Sequence, residues 1–181
     1  MTETLPLRFR RPTQADHRRI VELVDEWWGG RKMRALLPRL WFQHFTGTSW
    51  IAEDDTGRLL GFVVAFISQD DPSMGYVHMI AADPNRRRSG VGRALYQQVF
   101  HDLAARGVER VTAVTWPGNR QSIAFHRSIG FRVDDGPGTQ NLYGTPAYPD
   151  YDGHGDDRVV FIRELRGSGE RTPGTLSDRA V

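Results

Sequence analysis

Two histidines and one glycine-bearing loop are the parts of this sequence that could do chemistry. His78 lies in the apolar run from Tyr76 to Ala82; Asp83-Pro84-Asn85 breaks that run, and Arg86-Arg87-Arg88-Ser89-Gly90-Val91-Gly92-Arg93 follows. A strand that passes through such a loop into a helix start points several backbone N–H groups at one spot. The helix dipole adds positive potential there, so the spot suits a phosphate. Gly90 and Gly92 carry no Cβ, which lets a ligand lie directly on the main chain. The spacing is neither the Gly-Lys-Ser/Thr of a P-loop nor Gly-x-Gly-x-x-Gly, and alone it fits a tight turn with solvated arginines equally well. A histidine, with a pKa of about 6.5, can take the proton that an alkyl ammonium, at about 10, must lose before it attacks. The second histidine, His126, follows Asn119 and Ser122 at helical spacing, which puts the three on one helix face. His17, His44, His101 and His154 lack metal-ligand spacing, and no metal is expected.

The elements around these residues follow from periodicity and punctuation. Leu5–Arg10 reads as a first strand, and Pro12-Thr13 turns into a helix with Thr13 as N-cap and Asp16 completing a capping box. Ile20, Leu23, Val24 and Trp27 repeat at helical spacing until Gly29-Gly30, and a second helix is expected from Met33 to Phe45, with Pro38 in its first turns or at a kink. Trp50–Glu53 and Leu59–Ser68 form a hairpin around Asp54-Asp55-Thr56-Gly57. Tyr76–Ala82 is the next strand, and strand alternation places Tyr76, His78, Ile80 and Ala82 on one face. Val91, Leu95, Val99 and Leu103 define a helix closed by Gly107, after which come a strand at Arg110–Trp116 and a helix ending at Gly130. Phe131–Asp134 opens another strand, residues 135–157 read as a long loop, and Arg158–Leu165 closes the sheet. The pattern establishes a mixed α/β domain.

Composition narrows the function classes. The chain has 181 residues, 39% of them hydrophobic and 25% charged, as in an ordinary soluble domain. It has no cysteine, which removes disulfides, thiolate metal sites and a thioester-forming nucleophile; an acyl group would then pass directly between two bound substrates. A net charge of +2 does not argue for nucleic acid. No stretch approaches the roughly 18–20 apolar residues of a membrane span, and the first residues lack the regions of a signal peptide. The expectation is a cytoplasmic protein with no membrane and no nucleic-acid partner.

Arg87-Arg88-Ser89-Gly90-Val91-Gly92 resembles the Arg/Gln-x-x-Gly-x-Gly/Ala signature of the GNAT superfamily of acyl-CoA-dependent N-acyltransferases. Asn119-Arg120-Gln121-Ser122-Ile123-Ala124-Phe125-His126-Arg127-Ser128-Ile129-Gly130-Phe131 resembles that family's Asn-x-x-Ala/Ser-x-x-Phe-Tyr-x-x-x-Gly-Phe segment. The blocks stand in the family's order and at about its separation, and the likeness covers roughly residues 6–165. It implies an α+β fold: a mixed, mostly antiparallel seven-stranded sheet flanked by four helices, spanning residues 1–165; residues 166–181 read from their composition as a disordered tail. It implies acetyl-CoA as co-substrate, held by Ile80, Ala82, Arg87, Arg88, Ser89, Gly90, Val91, Gly92, Arg93, Asn119 and Ser122, with the loop amides on the pyrophosphate. The Ile80 N–H would meet the thioester carbonyl, His78 would be the base, and Trp28, Tyr76 and Tyr143 would line the acceptor pocket. His126 stands where the family usually has a tyrosine that protonates the departing thiolate, and histidine is a poorer acid at high pH. The competing readings are a core histidine bonded to backbone for His78 and a packing residue for His126.

Acidic and aromatic residues share the segment 134–157, including Asp134, Asp150, Asp152, Tyr148 and Tyr151, which suits a cationic amine as well as it suits a solvated loop. The implied activity is transfer of acetyl to a primary amine of a small molecule or peptide, and the likeness allows a homodimer. A coenzyme A-binding sensor that has lost catalysis, or a nucleic-acid module using Arg86-Arg87-Arg88, are the alternatives; the second lacks stacking aromatics beside the basic run.

Overall fold

The computed structural model describes residues 7–86 and 89–165. The start of the expected first strand, Arg87, Arg88 and the expected tail 166–181 lie outside the described residues. In chain order the elements are β1 (Arg8–Arg10), α1 (Gln14–Trp27), a 3-10 turn (Arg34–Leu36), α2 (Trp41–His44), β2 (Trp50–Glu53), β3 (Leu59–Ile67) and β4 (Met74–Ala82). A second 3-10 turn (Pro84–Arg86), α3 (Val91–Ala105), β5 (Arg110–Thr115), α4 (Arg120–Ser128), β6 (Arg132–Val133), β7 (Gln140–Leu142), β8 (Thr145–Ala147) and β9 (Val159–Glu164) complete it. Seven strands form one sheet in the order β1-β2-β3-β4-β5-β9-β6, in which only β4 and β5 run parallel. One core, with Leu95, Val99 and Phe161, lies between the sheet and α3 and α4. The other, with Ile20, Phe42 and Phe62, lies under α1 and α2. Apolar groups on both faces make β3 a nearly unbroken hydrophobic run.

Local chemistry sets most boundaries. The Asp16 carboxylate accepts from the Thr13 N–H at 2.7 Å and hydroxyl at 2.9 Å, and from both Arg10 Nη groups at 2.7–2.8 Å. Burial pushes this carboxyl up, but the bonds from Arg10 and Thr13 outweigh burial and hold it below the usual range. Asp16→Ala removes the carboxylate half of the capping box and leaves Glu53 as the one carboxylate on Arg10, and is expected to cost about 2 kcal/mol, read from urea midpoints. Gly29 and Gly30, at φ 66° and 86°, end α1. The expected helix Met33–Phe45 is instead a 3-10 turn and a short helix. Pro38 is the reason: it excludes the residue before it from helical backbone, and Leu37 sits at φ −120°, ψ 58°. The expected loop 135–157 contains the β7–β8 hairpin, whose turn residues Tyr143 (φ 54°) and Gly144 (φ 83°) fit the type I′ geometry such hairpins favour.

Two irregularities in β4 build the site. Pairing with β5 runs only from Met74–Arg110 to Val77–Ala113; Val114 and Thr115 pair with β9 alone, and among the described residues no strand pairs with 78–82 on that side. On the other side β4 carries one residue more than β3, because Val64 opposes Met79 while Ala65 opposes Val77, which leaves His78 as the bulge. An extra residue reverses the alternation beyond it. Tyr76 therefore packs on Phe66 and His78 on Trp41, towards α2, while Ile80 and Ala82 pack into the α3 core. The expectation that Tyr76, His78, Ile80 and Ala82 share one face is thus corrected: the strand is split at His78.

Candidate active site

The gap between β4 and β5 opens into two adjoining cavities. The first, about 790 Å3, is walled by Ile80–Ala82, by Gly90–Arg93 at the start of α3, by Asn119, Ser122 and His126 of the α4 region, and by Trp27, Trp28 and Arg31. Gly90 adopts φ 85° as the helix N-cap with no side-chain cap bond, and a Cβ placed on it would meet nothing within 4 Å. The first intrahelical bond runs from Ala94 N–H to Gly90 O at 2.9 Å. The N–H groups of Val91, Gly92 and Arg93 therefore have no acceptor among the described residues. Arg31, Arg86 and Arg93 line this cavity and no carboxylate does. Asn119 is engaged within the protein: its Oδ1 accepts from Ser122 N–H at 3.1 Å and caps α4, and its Nδ2 donates to Thr115 Oγ1 at 3.3 Å. Free amides, a lining with three arginines and an open glycine turn fit a polyphosphate.

Antiparallel ladders alternate between pairs that exchange hydrogen bonds and pairs that do not. Asp83 N–H bonds Leu60 O at 2.9 Å, which makes Ala82–Gly61 and Ile80–Val63 pairs of the second kind. The Ile80 N–H and C=O accordingly point away from β3, into the gap where β5 has departed.

The second cavity, about 470 Å3, is lined by Tyr76, His78, Trp116, Leu36, Asp152 and Arg158 among others. His78 Nε2 lies 2.7 Å from Leu36 O, and its ring stacks on Trp41 at 4.2 Å and 19°. A carbonyl only accepts, so Nε2 carries the hydrogen and Nδ1 is the lone pair left over. Burial pushes the imidazole below its ordinary range, partly opposed by the Leu36 bond. Burial also pushes Tyr76 up to about 12, so it stays a neutral phenol.

His126 is almost wholly buried, with an edge left on the two cavities. Its ring stacks on Phe161 at 4.2 Å and 3°, its Nδ1 meets Ser122 O at 2.8 Å, and its Nε2 meets Tyr96 Oη at 2.7 Å. Since the Ser122 carbonyl needs a donor, Nδ1 carries the hydrogen, and Nε2 accepts from the Tyr96 hydroxyl. Burial pushes the His126 pKa down to about 4, and pushes the Tyr96 hydroxyl up. A ring held neutral at pH 7 favours the packing role for His126 over the acid role. The same shift links stability to pH. The folded pKa of about 4 lies below the unfolded 6.5, so the contribution is complete above pH 6.5 and is lost as pH falls towards 4. Between pH 7 and pH 5 the wild type is expected to lose about 2 kcal/mol more than His126→Gln, measured by urea unfolding.

Comparison with known proteins bears on this geometry. The sequence profile of the Acetyltransferase (GNAT) family matches residues 17–131, more than half of the chain. The chain belongs to the GNAT acetyltransferase family. An L-2,4-diaminobutyric acid acetyltransferase of Nocardia farcinica is 32% identical over 61% of this chain and 57% of its own length. A mycothiol acetyltransferase of Kocuria rhizophila is 32% identical over 49% of this chain and 33% of its own. The chain thus matches just over half, and one third, of these two relatives. The diaminobutyrate acetyltransferase of Paenibacillus lautus, solved with L-2,4-diaminobutyric acid and coenzyme A, has a TM-score of 0.64 at 24% identity, covering 92% of this chain and 99% of that one; the likeness is one of fold.

Within this GNAT fold most of the expected site residues come together. Ile80, Ala82, Gly90, Val91, Gly92, Arg93, Asn119 and Ser122 line the first cavity, and Trp28, Tyr76, His78, Ile80, Ser122 and His126 the second. Ser89 follows the Arg86 turn, its hydroxyl donating to Arg86 O, and does not line either cavity. Tyr143 is 64% exposed at the hairpin turn and meets the second cavity only through Trp116, 5.4 Å from its ring. Sequence reasoning missed Arg31, Tyr96, Trp116 and Arg158. Gly29-Gly30 was the available signal for Arg31, because that turn swings the chain to the cavity mouth; the others arrive from distant elements with no local mark. Among the described residues no helix is long and apolar enough to cross a membrane, and no cluster of three His, Asp or Glu side chains could hold a metal ion.

Proposed function

We infer that the chain is a cytoplasmic N-acetyltransferase moving acetyl from acetyl-CoA to a primary amine, with both substrates bound together. One observation carries this reading: the two cavities abut on Trp28, Ile80, Ser122 and His126. A cationic, amide-lined chamber thereby meets a neutral aromatic one at a strand with an outward N–H. When bound, acetyl-CoA supplies an activated thioester. The amides of Val91, Gly92 and Arg93 grip its diphosphate, with Arg31, Arg86 and Arg93 adding long-range attraction. The Ile80 N–H faces the position where the carbonyl oxygen gains charge as the amine attacks. His78 Nδ1 takes the proton from the incoming ammonium, directly or through water. As the C–N bond forms the C–S bond breaks, the nitrogen sheds its second proton to solvent, and the sulfur takes one proton from water. His126 acts here as a positioning residue, its ring fixed between Phe161 and Tyr96 at the floor of the junction.

The relatives named as a diaminobutyric acid acetyltransferase and a mycothiol acetyltransferase support an amine acceptor, small molecule or peptide. Thiol release from acetyl-CoA across an amine panel tests the reading: amine-dependent release is expected, and coenzyme A binding without release from any amine would favour the sensor alternative. All residues named belong to one chain; the homodimer is a separate proposal that sedimentation decides.

A further inference from the structure

The second cavity holds a charge arrangement that the transfer chemistry does not use. Of its lining side chains only Asp152 and Arg158 bear a full charge, and they pair with each other, Arg158 Nε lying 2.6 Å from Asp152 Oδ2. The segment that carries them is closed by its own bonds. Tyr148 and Arg158 exchange main-chain hydrogen bonds of 2.8 and 3.0 Å, Asp150 N–H donates to Asp157 at 3.0 Å, and Gly155 N–H donates to Asp150 at 2.6 Å. Asp134 takes the Tyr148 hydroxyl at 2.6 Å. Those acids serve the loop itself, and Asp152 alone among them lines the cavity.

Both members of the pair keep spare capacity. A guanidinium has five N–H groups. Arg158 directs one to Asp152, one to Asp157 O at 3.0 Å and one to Asp156 Oδ1 at 3.5 Å, which leaves two. Asp152 Oδ1 has no donor among the described residues.

We propose that the acceptor is a zwitterionic diamino acid, with its carboxylate on Arg158, its α-ammonium on Asp152 and its distal amine at the Ile80–His126 junction. The nitrogen that attacks must be uncharged at that moment, so it cannot also be the cation that Asp152 holds. A second ammonium is therefore needed. A plain diamine would cover Arg158 with a ligand that offers it no anion. An ω-amino acid would bring a carboxylate beside Asp152 and Asp156 with no cation to offset them. A ligand with both charges gives every ion an opposite neighbour when water leaves the cavity. The distal nitrogen forms the new C–N bond as C–S breaks, losing protons while the sulfur gains one. This assignment rests on the transferase reading above.

Thiol release from acetyl-CoA by the full chain tests it. L-2,4-diaminobutyrate, L-ornithine and L-lysine are each compared with the diamine lacking the carboxylate (1,3-diaminopropane, putrescine, cadaverine). Each is also compared with the ω-amino acid lacking the α-ammonium (4-aminobutyrate, 5-aminovalerate, 6-aminohexanoate). At least one diamino acid is expected to exceed both matched compounds by about tenfold or more in kcat/KM. In Arg158→Gln the diamino acid to diamine ratio is expected to fall about tenfold, and in Asp152→Asn the diamino acid to ω-amino acid ratio likewise. A role confined to holding the loop would slow all acceptors in parallel and leave both ratios unchanged, which counts against the assignment. Should either variant fail to fold, the wild-type panel decides alone. A diamine or ω-amino acid used as well as its diamino acid overturns the proposal and leaves the transferase intact, whereas no release with any amine removes both.

Discussion

Gly92→Val is expected to weaken coenzyme A binding by about a hundredfold or more in calorimetry, with the fold retained. A Cβ at this position already stands 3.3 Å from Phe125 Cζ, so Phe125 must give way and the valine methyls enter the cavity. The amides of Val91, Gly92 and Arg93 lie under that surface. Hydrogen bonds to a charged group are worth about 1.5–3 kcal/mol each, so holding the diphosphate off two of them costs roughly two decades or more. Gly90 is a less clean probe. Its φ of 85° makes any L side chain strained by about 1–2 kcal/mol, which lowers stability together with affinity. By contrast Arg31→Ala removes one exposed cation, worth about 0–1 kcal/mol, and should change affinity only a few-fold. Unaltered affinity in folded Gly92→Val would take the loop amides out of the site.

His78→Ala is expected to lower kcat/KM by roughly a hundredfold and to leave coenzyme A affinity unchanged. The Leu36 carbonyl holds the Nε2–H, and burial keeps the ring neutral at physiological pH with Nδ1 available. In the wild type, activity should fall on the acid side as pH drops through this depressed pKa and the base becomes protonated; the variant should lack that limb. A residue that only stacked on Trp41 would cost stability without moving the pH profile, so persistence of the limb in His78→Ala assigns it elsewhere.

Much of the fold was legible because it depends on local chemistry. Thr13 and Asp16 start α1, Asp54–Gly57 closes the β2–β3 hairpin, and Gly107 ends α3, each through bonds or dihedrals set within a few residues. Pro38 carried its signal too, although its effect was larger than the kink allowed for: it separates a 3-10 turn from a helix of four residues. The β7–β8 hairpin was hidden because its turn, Tyr143-Gly144, lacks the usual Asn or Asp before glycine.

The sequence alone determined the half of the proposed site that is built on the glycine loop. Strand, broken loop, Gly90-Val91-Gly92 and helix are contiguous, and a helix start presents free amides wherever it lies. The acceptor half was decided by tertiary structure. A bulge depends on how many residues the neighbouring strand supplies, so nothing in Tyr76–Ala82 announces that His78 and Ile80 leave on opposite faces. His126 resembles a proton donor until Tyr96, Phe161 and the Ser122 carbonyl close around it. Burial is a property of what packs against a residue, and here α3 and β9 supply it around a helix distant from both in sequence, which is why the chemistry of that histidine is fixed only once the chain has folded.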